Sequence, residues 1–107
     1  MVFVAGQIGW DASQVFQTSS MAGQIRQTLK NTVAVLAEAG AGPQHVVRMT
    51  WYITSRSDYL DEIKEIGRAW REVMGKNYPA MAVVQVSALI ESTAKVEIET
   101  TAVIPFE

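Results

Sequence analysis

Cysteine is absent from this chain of 107 residues. That excludes disulfides, thiolate metal sites and a cysteine nucleophile. Histidine occurs once, as His45, with neither cysteine nor paired acids beside it, so no metal site and no Ser-His-Asp arrangement can be argued. His45 reads as a surface loop residue, and no metal and no cofactor are expected. No apolar run approaches the ~20 residues needed to span a bilayer. The opening Met1–Gln7 stretch lacks the basic start and long apolar segment of a signal peptide. No membrane partner is expected, and the cytoplasm is the expected location. Neither charge sign is in large excess, with 9 Lys and Arg against 11 Asp and Glu for a net charge of −2. General attraction to nucleic acid is therefore not expected, and no basic patch interleaved with aromatics argues for it. Repeats, linkers and low-complexity segments are also missing, which leaves residues 1–107 as one domain.

What is present is apolar residues, at 49% of the chain. A chain of this size buries ~65% of its unfolded surface, enough for a real core. Val2 to Ile8 reads as a strand. Ser19 or Ser20 can cap a helix running to about Ala39, with Ile25, Leu29, Thr32, Val33 and Leu36 on one buried stripe. Gln24 falls off that stripe. Gly40 ends the helix and Gly42-Pro43 prevents a restart. Val46 to Thr54 is a third element, a strand with Val47, Met49, Trp51 and Ile53 on one face and Arg48, Thr50 and Tyr52 on the other. Ser55 or Ser57 caps a second helix, Tyr59 to about Met74, expected to bury Leu60, Ile63, Ile66, Trp70 and Val73. Trp51 and Trp70 read as core, while Trp10 is freer.

The most informative stretch is Pro79 to Val103. Its first run, Ala80 to Val86, is β-branched and uncharged, as a strand covered on both faces should be. Its second, Lys95 to Val103, alternates Val96, Ile98, Thr100 and Ala102 with Lys95, Glu97, Glu99 and Thr101. Glu91-Ser92-Thr93 between them is turn material, and Pro105-Phe106-Glu107 forms a short tail. Two helices alternating with strands predict an α+β fold in which one helical layer covers one face of a mixed sheet. Strands apolar on both faces predict that the uncovered face meets other copies of the chain.

Pro79-Ala80 before a V-x-V strand, a turn and then Val-Glu-Ile-Glu-Thr-Thr-Ala-Val at 96–103 resembles the C-terminal signature of the Rid (reactive intermediate deaminase, or YjgF) family. Three further segments agree in order: VAGQIGWD at 4–11, IRQTLKNTVAVLAEAGA at 25–41 and VVRMTWYIT at 46–54. The resemblance implies a chorismate-mutase-like fold, a homotrimer with sheets inside and helices outside, and intersubunit clefts for a small organic ligand. It also implies an N-terminal strand ahead of Val2 that this sequence does not contain. In the family's imine deaminases an arginine follows the Pro-Ala pair and grips the substrate carboxylate, and here that position is Met81. Methionine offers a flexible apolar lining and cannot replace a two-pronged guanidinium contact. A polar position early in the second helix is Ile63 here, and the serine before the family's Gly-Gln is Ala5.

Within that resemblance Glu97 is the candidate catalytic residue, a general base for the hydrolytic water. The alternative is a partly solvated strand acid that balances Lys95 or Arg48. Gly6 and Gln7 match a Gly-Gln pair whose backbone contacts ligand, and with Ala5, Ile63 and Met81 they complete the expected substrate-binding set. Arg48, on a sheet face, is the favoured substitute cation. Two functions follow: hydrolysis of an enamine or imine other than the usual small imino acids, or a non-catalytic ligand-binding or stress-related interaction module. A ribonuclease or translation inhibitor is a third and weaker reading.

Overall fold

In the computed structural model, residues 1–105 are described; Phe106 and Glu107 of the expected tail lie outside the described residues. The elements run β1 (Val2–Ile8), α1 (Met21–Glu38), a 3-10 turn (Pro43–His45), β2 (Val46–Ile53), α2 (Arg56–Asp61), α3 (Ile63–Met74), β3 (Ala80–Gln85) and β4 (Val96–Ala102). Ser20 starts α1 by accepting a hydrogen bond from the Gly23 amide, and Ser55 does the same for α2 with the Asp58 amide. Beyond α1, Gly40 takes φ +76°, a left-handed conformation that glycine adopts without steric cost.

The four strands form one mixed sheet in the order β1-β4-β2-β3. β4 pairs antiparallel with both β1 and β2, and β3 runs parallel to β2 at the edge. This is the α+β fold expected, with the helices on one face. Toward the helices the sheet presents Val4, Met49, Trp51, Ile53, Val96, Ile98 and Ala102, all buried with Ile25, Leu29 and Leu36 of α1 and Ile66, Trp70 and Met74 of α3. The Trp51 and Trp70 rings lie 6.0 Å apart, a tilted pair worth ~0.5–1.5 kcal/mol beyond its area burial.

Four local expectations change. The second helix is two helices, broken at Glu62, whose carboxylate accepts from the Ala22 amide at 3.1 Å and so caps α1 instead of continuing a helical face. Leu60 and Ile63 beside the break are consequently exposed. Gln24, expected off the stripe, is fully buried because its side chain holds the turn before β4: Nε2 donates to the Thr18 and Thr93 carbonyls, and Oε1 accepts from the Lys95 amide. A register shift between Val46 and Arg48 buries Val46 and exposes Val47, the reverse of simple alternation. β3 is an edge strand whose residues are mostly exposed, and Val83 alone among them packs against the core. Its uncharged sequence is not covered on both faces within one chain.

Candidate functional site

The face away from the helices carries the polar chemistry. On β4 the alternation that buries Val96 and Ile98 turns Glu97 and Glu99 to this side. Glu97 stands in register with Tyr52 of β2 and with Ile8 of β1. The half-buried Glu97 side chain lies against Gly6: a Cβ added there would meet Oε2 at 2.4 Å. Among the described residues Glu97 has no hydrogen-bond partner and no ion pair. Neither of the expected balancing cations pairs with it: Lys95 sits 3.8 Å from Asp58, and Arg48 lines a cavity that includes Glu99 and not Glu97.

Glu99 is differently committed. Its Oε1 accepts a hydrogen bond from the Tyr52 hydroxyl at 2.9 Å. That bond, followed by desolvation and the charges of Glu99 and Glu97, raises the Tyr52 pKa above the usual phenol value, with Arg48 opposing. Two cavities share Glu99. One, of about 290 Å³, is lined by Tyr52, Val86, Leu89, Ile90, Glu97 and Glu99. The other, of about 390 Å³, includes Phe3, Ala5, Arg48, Thr50, Glu99 and Thr101. Together they place two carboxylates, a phenol and one guanidinium on a surface with apolar walls. Such a set can accept protons from, or orient, a small polar group held against those walls.

The six expected site residues divide between the two faces. Glu97, Gly6 and Ala5 meet on the open one. Met81 is in register with buried Met49, and it shares a face with Val83, which packs on the core, so it belongs to the helix side at the β3 edge and is 45% exposed. Ile63 begins α3 in the helical layer. Gln7 also faces the helices: it pairs with buried Ile98 and lines a cavity with Trp10, Asp11 and Asn31 of the α1 side. A single chain therefore does not bring Met81, Ile63 or Gln7 to Glu97.

Residues 1–104 match the family model described as Endoribonuclease L-PSP. The chain belongs to that family, the Rid (YjgF) proteins. The chain is 31% identical over 103 residues to the Homo sapiens 2-iminobutanoate/2-iminopropanoate deaminase, covering 95% of itself and 72% of the relative. It is 36% identical over 104 residues to Protein DfrA of Myxococcus xanthus, covering 96% and 76% respectively. Among solved structures it resembles the E. coli TdcF protein with bound serine at a TM-score of 0.81 and 27% identity, covering 96% of this chain and 80% of that one. The Yersinia pestis Rid protein YyfB gives 0.84 and 30%, covering 96% and 77%.

Three members of this Rid surface are not marked as site residues by the sequence. Tyr52 was visible only as one residue of an alternating strand, and its register beside Glu97 and its bond to Glu99 come from pairing across 47 positions of chain. Leu89 and Ile90 fall between the Ala80–Val86 strand and the Glu91-Ser92-Thr93 turn, and they wall the cavity beside Glu97, with Ile90 98% exposed. An isoleucine beside Glu91 in a turn is the one local signal that points there.

Proposed function

We propose that this Rid-family chain is a single domain forming cytoplasmic homotrimers whose intersubunit clefts bind a small organic ligand. In this reading the cleft hydrolyses an enamine or imine other than the usual small imino acids, and the chain represents a branch without the carboxylate-gripping arginine. Glu97 removes a proton from water as the water oxygen forms a bond to the C=N carbon. The nitrogen takes up protons, the carbon–nitrogen bond breaks and ammonia leaves. One imine and one water thus give one carbonyl compound and one ammonia. Ala5, Gly6, Gln7, Ile63 and Met81 line the cleft or brace it.

One observation carries the reading. Glu97 is a half-buried carboxylate with no partner among the described residues, set on a sheet face that no helix covers. A structural acid in that position would be expected to hold a cation or a backbone amide. Two further features support a cleft assembled from more than one chain. Met81 and Glu97 lie on opposite faces of one sheet, so a shared site needs the face of a second copy. Apolar Phe3 and Val84 are exposed on or beside the open face. Met81 removes the anchor for a substrate carboxylate, which favours an apolar, carboxylate-free imine.

The test is ammonia release from two imines generated in situ by an oxidase: 2-iminopropanoate and the carboxylate-free imine of 2-phenylethylamine. The second should be hydrolysed and the first negligibly so. Glu97→Gln should cut the rate by ~10²–10⁴-fold, the usual worth of a positioned base. Light scattering at micromolar concentration should give a trimer, and a monomer would remove the shared cleft. Specific binding of the amine-derived imine without turnover, unaltered by Glu97→Gln, would select the second reading, a non-catalytic binding module. That reading is favoured by Met81 itself.

A further inference from the structure

We propose that Gly6 is the positioning residue for Glu97: the space left by its missing side chain is the slot that holds the carboxylate. This rests on the reading of Glu97 as the base. Between Val4, paired with Thr100, and Gln7, paired with Ile98, β1 carries two residues, Ala5 and Gly6, opposite Glu99 of β4. That is a β-bulge, which re-aims side chains at the point where it occurs. Before it, Phe3 faces the open side; after it, Gln7 faces the helices.

Glycine at such a place often serves a left-handed backbone. Among the described residues the glycines with positive φ are Gly40 and Gly75, and Gly6 is not one of them. Its backbone is one that alanine can adopt. What excludes a side chain is Glu97 itself, since a Cβ would lie 2.4 Å from Oε2, 2.8 Å from Cδ and 3.0 Å from Cγ. The carboxylate fills the volume that any other residue at position 6 would occupy.

The manner of holding matters. Tyr52 fixes Glu99 by a hydrogen bond and thereby uses one of its acceptor sites. Glu97 is fixed by shape, with no donor from the chain among the described residues. Both its oxygens stay open to water or ligand, while packing against β1 restricts where they can be. A methyl group at position 6 would push the carboxylate toward the cavity it lines with Tyr52, Leu89 and Ile90. The clashing atoms are the far end of a flexible side chain, so the fold has somewhere to put them.

The test compares the Glu97 side-chain carboxyl resonance, assigned by its loss in Glu97→Gln, between the parent protein and Gly6→Ala. The resonance should move while the Glu99 signal and the melting temperature hold. Turnover of the 2-phenylethylamine imine should fall ~10- to 100-fold, the scale of an ångström-sized misplacement. Gly6→Ala/Glu97→Asp, one methylene shorter, should regain part of that loss, whereas Glu97→Asp alone should lose activity. An unmoved Glu97 resonance in folded Gly6→Ala overturns the proposal. If Gly6→Ala does not fold, Gly6→Ala/Glu97→Ala decides: recovery of folding supports the slot, and continued failure assigns Gly6 to the backbone. Full activity in Glu97→Gln would sink the reading of Glu97 as base while leaving the resonance comparison to judge the slot.

Discussion

The two faces of the sheet obey the same alternation and come to opposite ends. On the helical face Val4, Met49, Trp51, Ile53, Val96 and Ile98 are all buried by α1 and α3 of the same chain. On the other face lie Phe3, Ala5, Arg48, Thr50, Tyr52, Glu97, Glu99 and Thr101, and no helix among the described residues packs on them. The first face is explained by packing alone. The second mixes an exposed phenylalanine with acids held in two different ways, one bonded to a phenol and one seated on a glycine. Stability is concentrated where residues satisfy each other, and chemistry becomes available where they do not.

The difference can be sharpened first on the covered side. Trp51→Ala empties a buried site that contacts Trp70, and should cost ~3–5 kcal/mol in chemical denaturation. A loss below about 1 kcal/mol would mean that the covered face is not the main source of stability. Met81→Arg probes the boundary between the faces. At 45% exposure the new guanidinium can reach solvent, so the fold should stay within ~1–2 kcal/mol of the parent by the same measurement. New affinity for small carboxylates, read by calorimetry, should accompany it if this edge lines the cleft. Failure to fold would place residue 81 in the core and remove the cleft.

The smallest effect belongs to the open face and to alkaline pH. The folded Tyr52 pKa is raised, chiefly because its hydroxyl donates to Glu99, so its share of stability is complete below the usual value of 10.0 and is lost as pH rises through the folded value. Tyr59 is raised as well, by burial. The informative quantity is therefore a difference: Tyr52→Phe should show a shallower fall in melting temperature above about pH 10 than the parent. Equal slopes would mean that the Tyr52–Glu99 bond contributes nothing measurable to the folded state.

Much of this protein was legible locally. Ser20, Ser55 and Gly40 mark helix ends because capping chemistry acts within a turn of chain. The Val96–Ala102 alternation determines which side of β4 is apolar, and four ordered motifs sufficed to identify the family. What the sequence alone could not determine is parity between strands and position within the sheet. A bulge adds one residue to one strand relative to its partner, so Phe3 and Gln7, four positions apart and on one face of a regular strand, come to serve opposite faces. The bulge near Val46 likewise exchanges Val46 and Val47. Strand order, set by pairings between distant segments, puts uncharged β3 at an edge and Met81 on the far side of the sheet from Glu97. It also brings Gly6 under Glu97 across 91 positions of chain, because only the paired strands define the space that a missing side chain leaves.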